Sequence, residues 1–232
     1  PPKTMAAVDV VVHLPTIKAL VLASSRSVGG GKDNGLAVCV KYQTAGAGAV
    51  KWEVTMEIPM ACPTRSGGGS IMPLVCGSAS ANERHVCLVH GRSDIISVLA
   101  LGSSKAHTVR PAITSLTSEQ HRQYLTAAHF LDQDIVLCVT SSGALSMHEL
   151  KNSSYSAGEG ALTLEPSRDA VLPSALGPTY SCALAASAKG RPALFYCLRK
   201  LDSTTQQLFT MTSGSRFRFQ TNLPVSAPHP QA

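Results

Sequence analysis

Residues 206–224, QQLFTMTSGSRFRFQTNLP, decide how this chain ends and set the terms for reading the rest. Leu208, Thr210 and Thr212 alternate with Phe209 and Met211. Ser213-Gly214-Ser215 then interrupts, and Phe217 and Phe219 alternate with Arg216 and Arg218. A period of two is the pleat of a β-strand, because successive side chains point to opposite faces, so the stretch predicts a final edge-to-core strand with a kink. Leu223-Pro224 stops it, since proline cannot donate to a ladder, and residues 226–232 are expected to form an exposed C-terminal tail.

Upstream, the same kind of segment recurs. Residues 6–14 (AAVDVVVHL) are β-branched and apolar around Asp9, as in a buried strand closed by Pro15. Residues 15–25 (PTIKALVLASS) suit a short helix or a strand, and 36–44 (LAVCVKYQT) a second strand. In 49–60 (AVKWEVTMEIPM), Val50, Trp52, Val54, Met56 and Ile58 alternate with Lys51, Glu53, Thr55 and Glu57. This is the clearest pattern of one buried face in the chain, and it predicts Trp52 as a core anchor.

Further strands are expected at 71–78, 84–90, 95–101, 134–140, 144–150, 180–187 and 192–200. Glycine- and serine-rich turns at 28–35 and 64–70 separate the early ones. Thr117-Ser118-Glu119 has the cap and first-turn acid of a helix over about 117–125, and 151–179 reads as a long surface excursion. Runs of strands without intervening helices mean an antiparallel sandwich, jelly roll, barrel or propeller.

Composition points to packing against neighbours. Of 232 residues, 44% are apolar but only 5% aromatic, so the core is built from Val, Leu, Ile and Ala. Charged residues are 15%, against about 25% in ordinary soluble domains, which suggests a surface that faces more than water. The net charge of +6 favours a polyanion without identifying one, and no basic arm concentrates it. Seven cysteines lie in apolar runs such as LAVCV and IVLCV and read as reduced, buried residues of a cytosolic protein. No apolar run reaches the roughly 18 residues of a membrane span.

Chemical signatures are weak. GGGK at 29–32 lacks the first glycine of a phosphate-binding loop and precedes a strand. His85 and Cys87 share a strand face but His90 points the other way, which does not make a metal set. No nucleophile elbow or H-E-x-x-H occurs. The expectation is therefore a non-enzyme with no catalytic, cofactor-binding or metal residues.

Two segments resemble the small coat protein of comovirus-like plant viruses, in the picornavirus-like group. One is 14–60, with LPTIKALVLASS, GLAVCVKY and TAGAGAVKW followed by an alternating strand. The other is 194–224, LFYCLRKLDSTTQQLFTMTSGSRFRFQTNLP. The resemblance implies a single eight-stranded antiparallel jelly roll with one or two short helices, spanning residues 1–225. It also implies a chain cut from a polyprotein, for which Pro1 is a suitable start, and assembled with sister subunits into an icosahedral virion shell. Weak, non-specific contact with positive-strand genomic RNA, and a place in the virion and the host cytoplasm, follow from the same likeness. A competing reading is a partial WD-like β-propeller serving as an interaction scaffold, since 128–151 (AHFLDQDIVLCVTSSGALSMHELK) resembles one blade. The two part on topology: a propeller repeats four-stranded meanders in order, and a jelly roll sets its last strand beside an early one.

Overall fold

A computed structural model describes residues 5, 7–26, 34–44, 49–64, 70–112, 124–141, 145–153 and 161–167. It also describes the backbone of four later strands, 179–185, 194–200, 205–212 and 218–224. The fold is all-β and antiparallel, as expected. The described strands form four four-stranded sheets, each a meander in chain order.

Sheet 1 contains β1 (Val10–Leu14), β2 (Ala19–Ser24), β3 (Gly35–Thr44) and β4 (Val50–Met60). Sheet 2 contains β5 (Leu74–Ala79), β6 (His85–His90), β7 (Ile96–Ala100) and β8 (Lys105–Val109). Sheet 3 contains β9 (Leu125–Phe130), β10 (Ile135–Thr140), β11 (Leu145–Ser153) and β12 (Ala161–Pro166). Sheet 4 contains β13 (Thr179–Ala185), β14 (Leu194–Lys200), β15 (Thr205–Thr212) and β16 (Arg218–Pro224).

This pairing corrects the eight-stranded jelly roll. The last strand, β16, pairs with β15 and not with an early strand. The physical reason is local: short turns let each strand fold back on its predecessor, and no long loop closure has to be made. The terminal stretch is accordingly two paired strands and not one kinked strand. The ambiguous 15–25 segment supplies strand β2. The expected surface excursion at 151–179 contains the end of β11 and all of β12. Of the expected helix, residues 117–123 lie outside the described residues, and Leu125 opens β9. The expected tail at 226–232 also lies outside them.

The first three sheets stack face to face. Val86 and Leu88 of β6 and Leu99 of β7 pack with Val12, Leu14, Val21, Ala37, Ile58 and Met60 of sheet 1. The alternate residues Cys87, Val89, Ile96 and Val98 pack with Leu125, Phe130, Val136 and Cys138 of sheet 3. Sheet 2 is thus apolar on both faces, which is why HVCLVH and ISVLA read as continuous apolar runs and not as alternation. The first strands lie side by side, β1 by β5 and β5 by β9, and so do the fourth strands, β4 by β8 and β8 by β12.

Polar groups pin these stacks. Asp9 accepts from the Ser25 amide of sheet 1 at 2.7 Å, and from that of Leu74, which opens β5, at 3.5 Å. Glu83, in the β5–β6 turn, accepts from the Thr16 and Ile17 amides of the β1–β2 turn at 2.8 and 3.1 Å. Between sheets 2 and 3, Ser78 Oγ accepts from the Phe130 amide at 3.1 Å, and the Cys87 thiol donates to the Ala128 carbonyl at 3.4 Å. Buried amides and carbonyls left without such partners would each cost about 1–3 kcal/mol.

Gly77 in β5 lets sheets 1 and 2 approach closely. A Cβ there would lie 2.7 Å from methyl carbons of Val10 and Val12, neither of which ends a flexible chain. Gly77→Ala is expected to destabilise by about 1–3 kcal/mol. Urea unfolding checks this, and an unchanged midpoint would mean that the two sheets are not in this contact.

Burial also sets the acid limit. Desolvation pushes His90, His129 and His148 down to about 4 from an ordinary value of 6.5. Each folded ring stays neutral where the unfolded ring takes a proton. Their contribution is therefore complete above pH 6.5 and is lost as pH falls from 6.5 towards 4, where the unfolded state binds more protons. The loss across this window is on the order of several kcal/mol. Unfolding midpoints measured across it are expected to drop steadily.

Candidate interaction surface

The long hairpin of β3 and β4 carries the most unusual surface among the described residues. From Gly35↔Met60 to Cys39↔Met56 the two strands pair in one register, and from Val40↔Val54 to Thr44↔Val50 in another. Thr55 is the residue left over, a β-bulge, and its hydroxyl donates to the Cys39 carbonyl at 3.2 Å. One unpaired residue changes which face the following side chains occupy.

The consequence reverses an expectation from the sequence. Met56, Ile58 and Met60 face sheet 2, and Ile58 and Met60 are buried there. Val50, Trp52 and Val54, which the unbroken alternation assigns to the same core, turn to the opposite face of sheet 1. They are 43%, 55% and 48% exposed. Trp52, the only tryptophan, is not a core anchor.

On that face Trp52 sits directly opposite Tyr42, their ring centroids 5.6 Å apart and tilted by 53°. The His13 ring of β1 stacks on Tyr42 at 6.0 Å, with a hydrogen bond of 2.9 Å between His13 Nε2 and the Tyr42 hydroxyl. Val11, 55% exposed, extends the patch along β1. Its floor is Leu36, Val38 and Val40, buried beneath Met5. Rigid aromatic rings held by cross-strand contacts over an apolar floor are what binding hot spots are made of. The other face of the hairpin is charged, with Glu53 opposite Lys41 and Lys51 opposite Gln43.

The metal-like trio is dispersed into structural roles. His90 Nε2 bonds Ser97 Oγ at 2.8 Å, the Cys87 thiol is committed to Ala128, and His85 is half-buried on the β6 edge of its turn. Among the described residues no group of three His, Cys, Asp or Glu side chains suits a metal. Burial pushes the Cys87 thiol well up and that of Cys138 to about 12. Of the glycine-rich turn at 28–35, only Asn34 and Gly35 are described. Asn34 brackets Cys62, accepting from its amide at 2.7 Å and donating to its carbonyl at 3.2 Å.

No family model and no curated protein sequence matches this chain. Solved structures align with the chain. Hydrazine synthase of Kuenenia stuttgartiensis aligns at TM-score 0.50 and 10% identity, over 96% of this chain and 51% of that one. The outer coat vertex of COPII on membranes aligns at TM-score 0.41 and 10% identity, over 90% of this chain and 58% of that one. The COPII coat assembled on membranes gives the same score and identity over 32% of its chain. The chain thus spans less than two thirds of the length of each of these three structures.

The single tryptophan reports on this surface directly. Its fluorescence is expected at the long wavelengths of a hydrated indole and to be quenched readily by iodide in the folded protein. Emission at short wavelength, shielded from iodide, would return Trp52 to the core.

Proposed function

We propose that the four meanders are blades of a β-propeller and that the chain is a protein-interaction scaffold. The observation that carries this reading is the aromatic patch of Trp52, Tyr42 and His13, turned outward by the Thr55 bulge on a sheet stacked in sequence order. Sequential meanders, with first strand beside first and fourth beside fourth, are the pattern that radial blades produce. Apolar patches that expose tryptophan beside tyrosine mark surfaces that a partner covers.

The coat-subunit reading also makes partner contact the function, but its structural premise was a jelly roll, and no feature of the fold favours it over blades. A shell enclosing RNA would need this chain to tile beside sister subunits. A scaffold needs only one surface to be recognised.

A photo-reactive phenylalanine analogue in place of Trp52 is expected to crosslink a polypeptide in cells that express the protein, while the same analogue at the exposed Asp132 turn on sheet 3 gives none. Recovery of RNA-filled shells, with crosslinks spread equally over both positions, would instead support the coat subunit.

A further inference from the structure

The proposed scaffold leaves its partner open, and the β4 edge narrows it. β4 is the last strand of sheet 1 and pairs with β3 on one side alone among the described strands. It is 11 residues long, against 5 for β8, the fourth strand beside it, so its first half overhangs its neighbour. Residues Val50 to Thr55 are exposed on both faces. A free, partly apolar edge of this kind is a template for another strand.

The sequence of that edge is self-complementary. Around Trp52 it reads Val50-Lys51-Trp52-Glu53-Val54. When two such strands run antiparallel about a two-fold axis at Trp52, Trp52 meets its copy and Val50 meets the copy's Val54. Lys51 meets the copy's Glu53, and Glu53 the copy's Lys51. Both charge pairs are attractive and lie on one face. The aromatic and valine pairs lie on the other, continuous with Tyr42. Directly opposed pairs of opposite charge, and aromatic pairs, are the favourable units of a sheet, and an isologous two-fold contact requires this palindromic kind of match. Shifting the axis by one residue, to Glu53, sets Glu53 against its copy and Trp52 against Val54, so the charges also fix the register.

We propose that β4 pairs with β4 of a second copy, joining two first sheets into one continuous eight-stranded sheet. This inference rests on the scaffold reading and names the partner of its surface. Pairing supplies main-chain hydrogen bonds to the free edge, covers the Trp52 indole and leaves the sheet 1–sheet 2 stack untouched. It also ends naturally, because Met56, Ile58 and Met60 already face sheet 2 and Pro59 has no amide to donate.

Charge reversal in the full chain tests it, by sedimentation equilibrium over a concentration series. The unaltered protein is expected to dimerise. K51E sets carboxylate against carboxylate in both pairs and is expected to weaken the dimer by at least about tenfold. It does so without disturbing the hairpin, where Lys51 lies opposite neutral Gln43. E53K sets lysine against lysine and is expected to do the same, although it also removes the pairing with Lys41, so thermal melts accompany both variants. Mixing K51E with E53K is the decisive arm. One chain then carries two carboxylates opposite two ammonium groups on the other, and a heterodimer is expected to form more tightly than either variant alone. A monomer at all concentrations, equal dimerisation of K51E and the unaltered chain, or no gain on mixing would each overturn the proposal. A monomer whose position 52 still crosslinks a different polypeptide would overturn the dimer while leaving the scaffold reading intact.

Discussion

Sheet 2 is buried on both faces, and that constraint governs the described part of the molecule. A four-stranded meander alone cannot bury enough apolar area to offset the entropy of ordering its backbone. Val86, Leu88 and Leu99 on one side and Cys87, Val89 and Val98 on the other give sheet 2 two neighbours. The polar pins at Asp9, Glu83, Ser78 and Cys87 then set how those neighbours sit. Sheet 1 packs its inner face on sheet 2, while its outer face buries Leu36, Val38 and Val40 and exposes Val11, Trp52 and Val54.

The extra residue at Thr55 gives that outer face its chemistry. Without it, Trp52 would lie with Met56 and Ile58 against sheet 2, and Lys51 and Glu53 would crowd the open face. With it, apolar and aromatic side chains are presented and the charges pass to the other side. A bulge costs a ladder bond, and here the Thr55 hydroxyl on the Cys39 carbonyl returns part of it.

Much of the fold was legible in the sequence, because strands announce themselves by β-branched runs and turns by glycine and serine. The segments around 36–44, 84–90 and 134–140 are strands with nearly the expected bounds. Pairing order was not legible, since a strand's pattern reports which face is buried but not which strand lies beside it. β8, KAHTV, escaped notice because an edge strand with Lys, His and Thr has no apolar run. β9 escaped because LTAAHF follows a helix-like stretch. The site was the least legible of all. The alternation from Val50 to Ile58 is unbroken, and nothing in it marks Thr55 as the residue without a partner. Trp52 stands out as the only tryptophan, but its direction could not be read.

The pairing between β3 and β4 therefore carries the account, and inter-strand nuclear Overhauser contacts measure it most directly. The account predicts cross-strand contacts of Tyr42 with Trp52 and of Val40 with Val54, with Cys39 opposite Met56 and Thr55 unmatched. Contacts of Gln43 with Trp52 and of Tyr42 with Glu53 would mean an unbroken register and an inward tryptophan. The surface built here on Trp52 would then not exist.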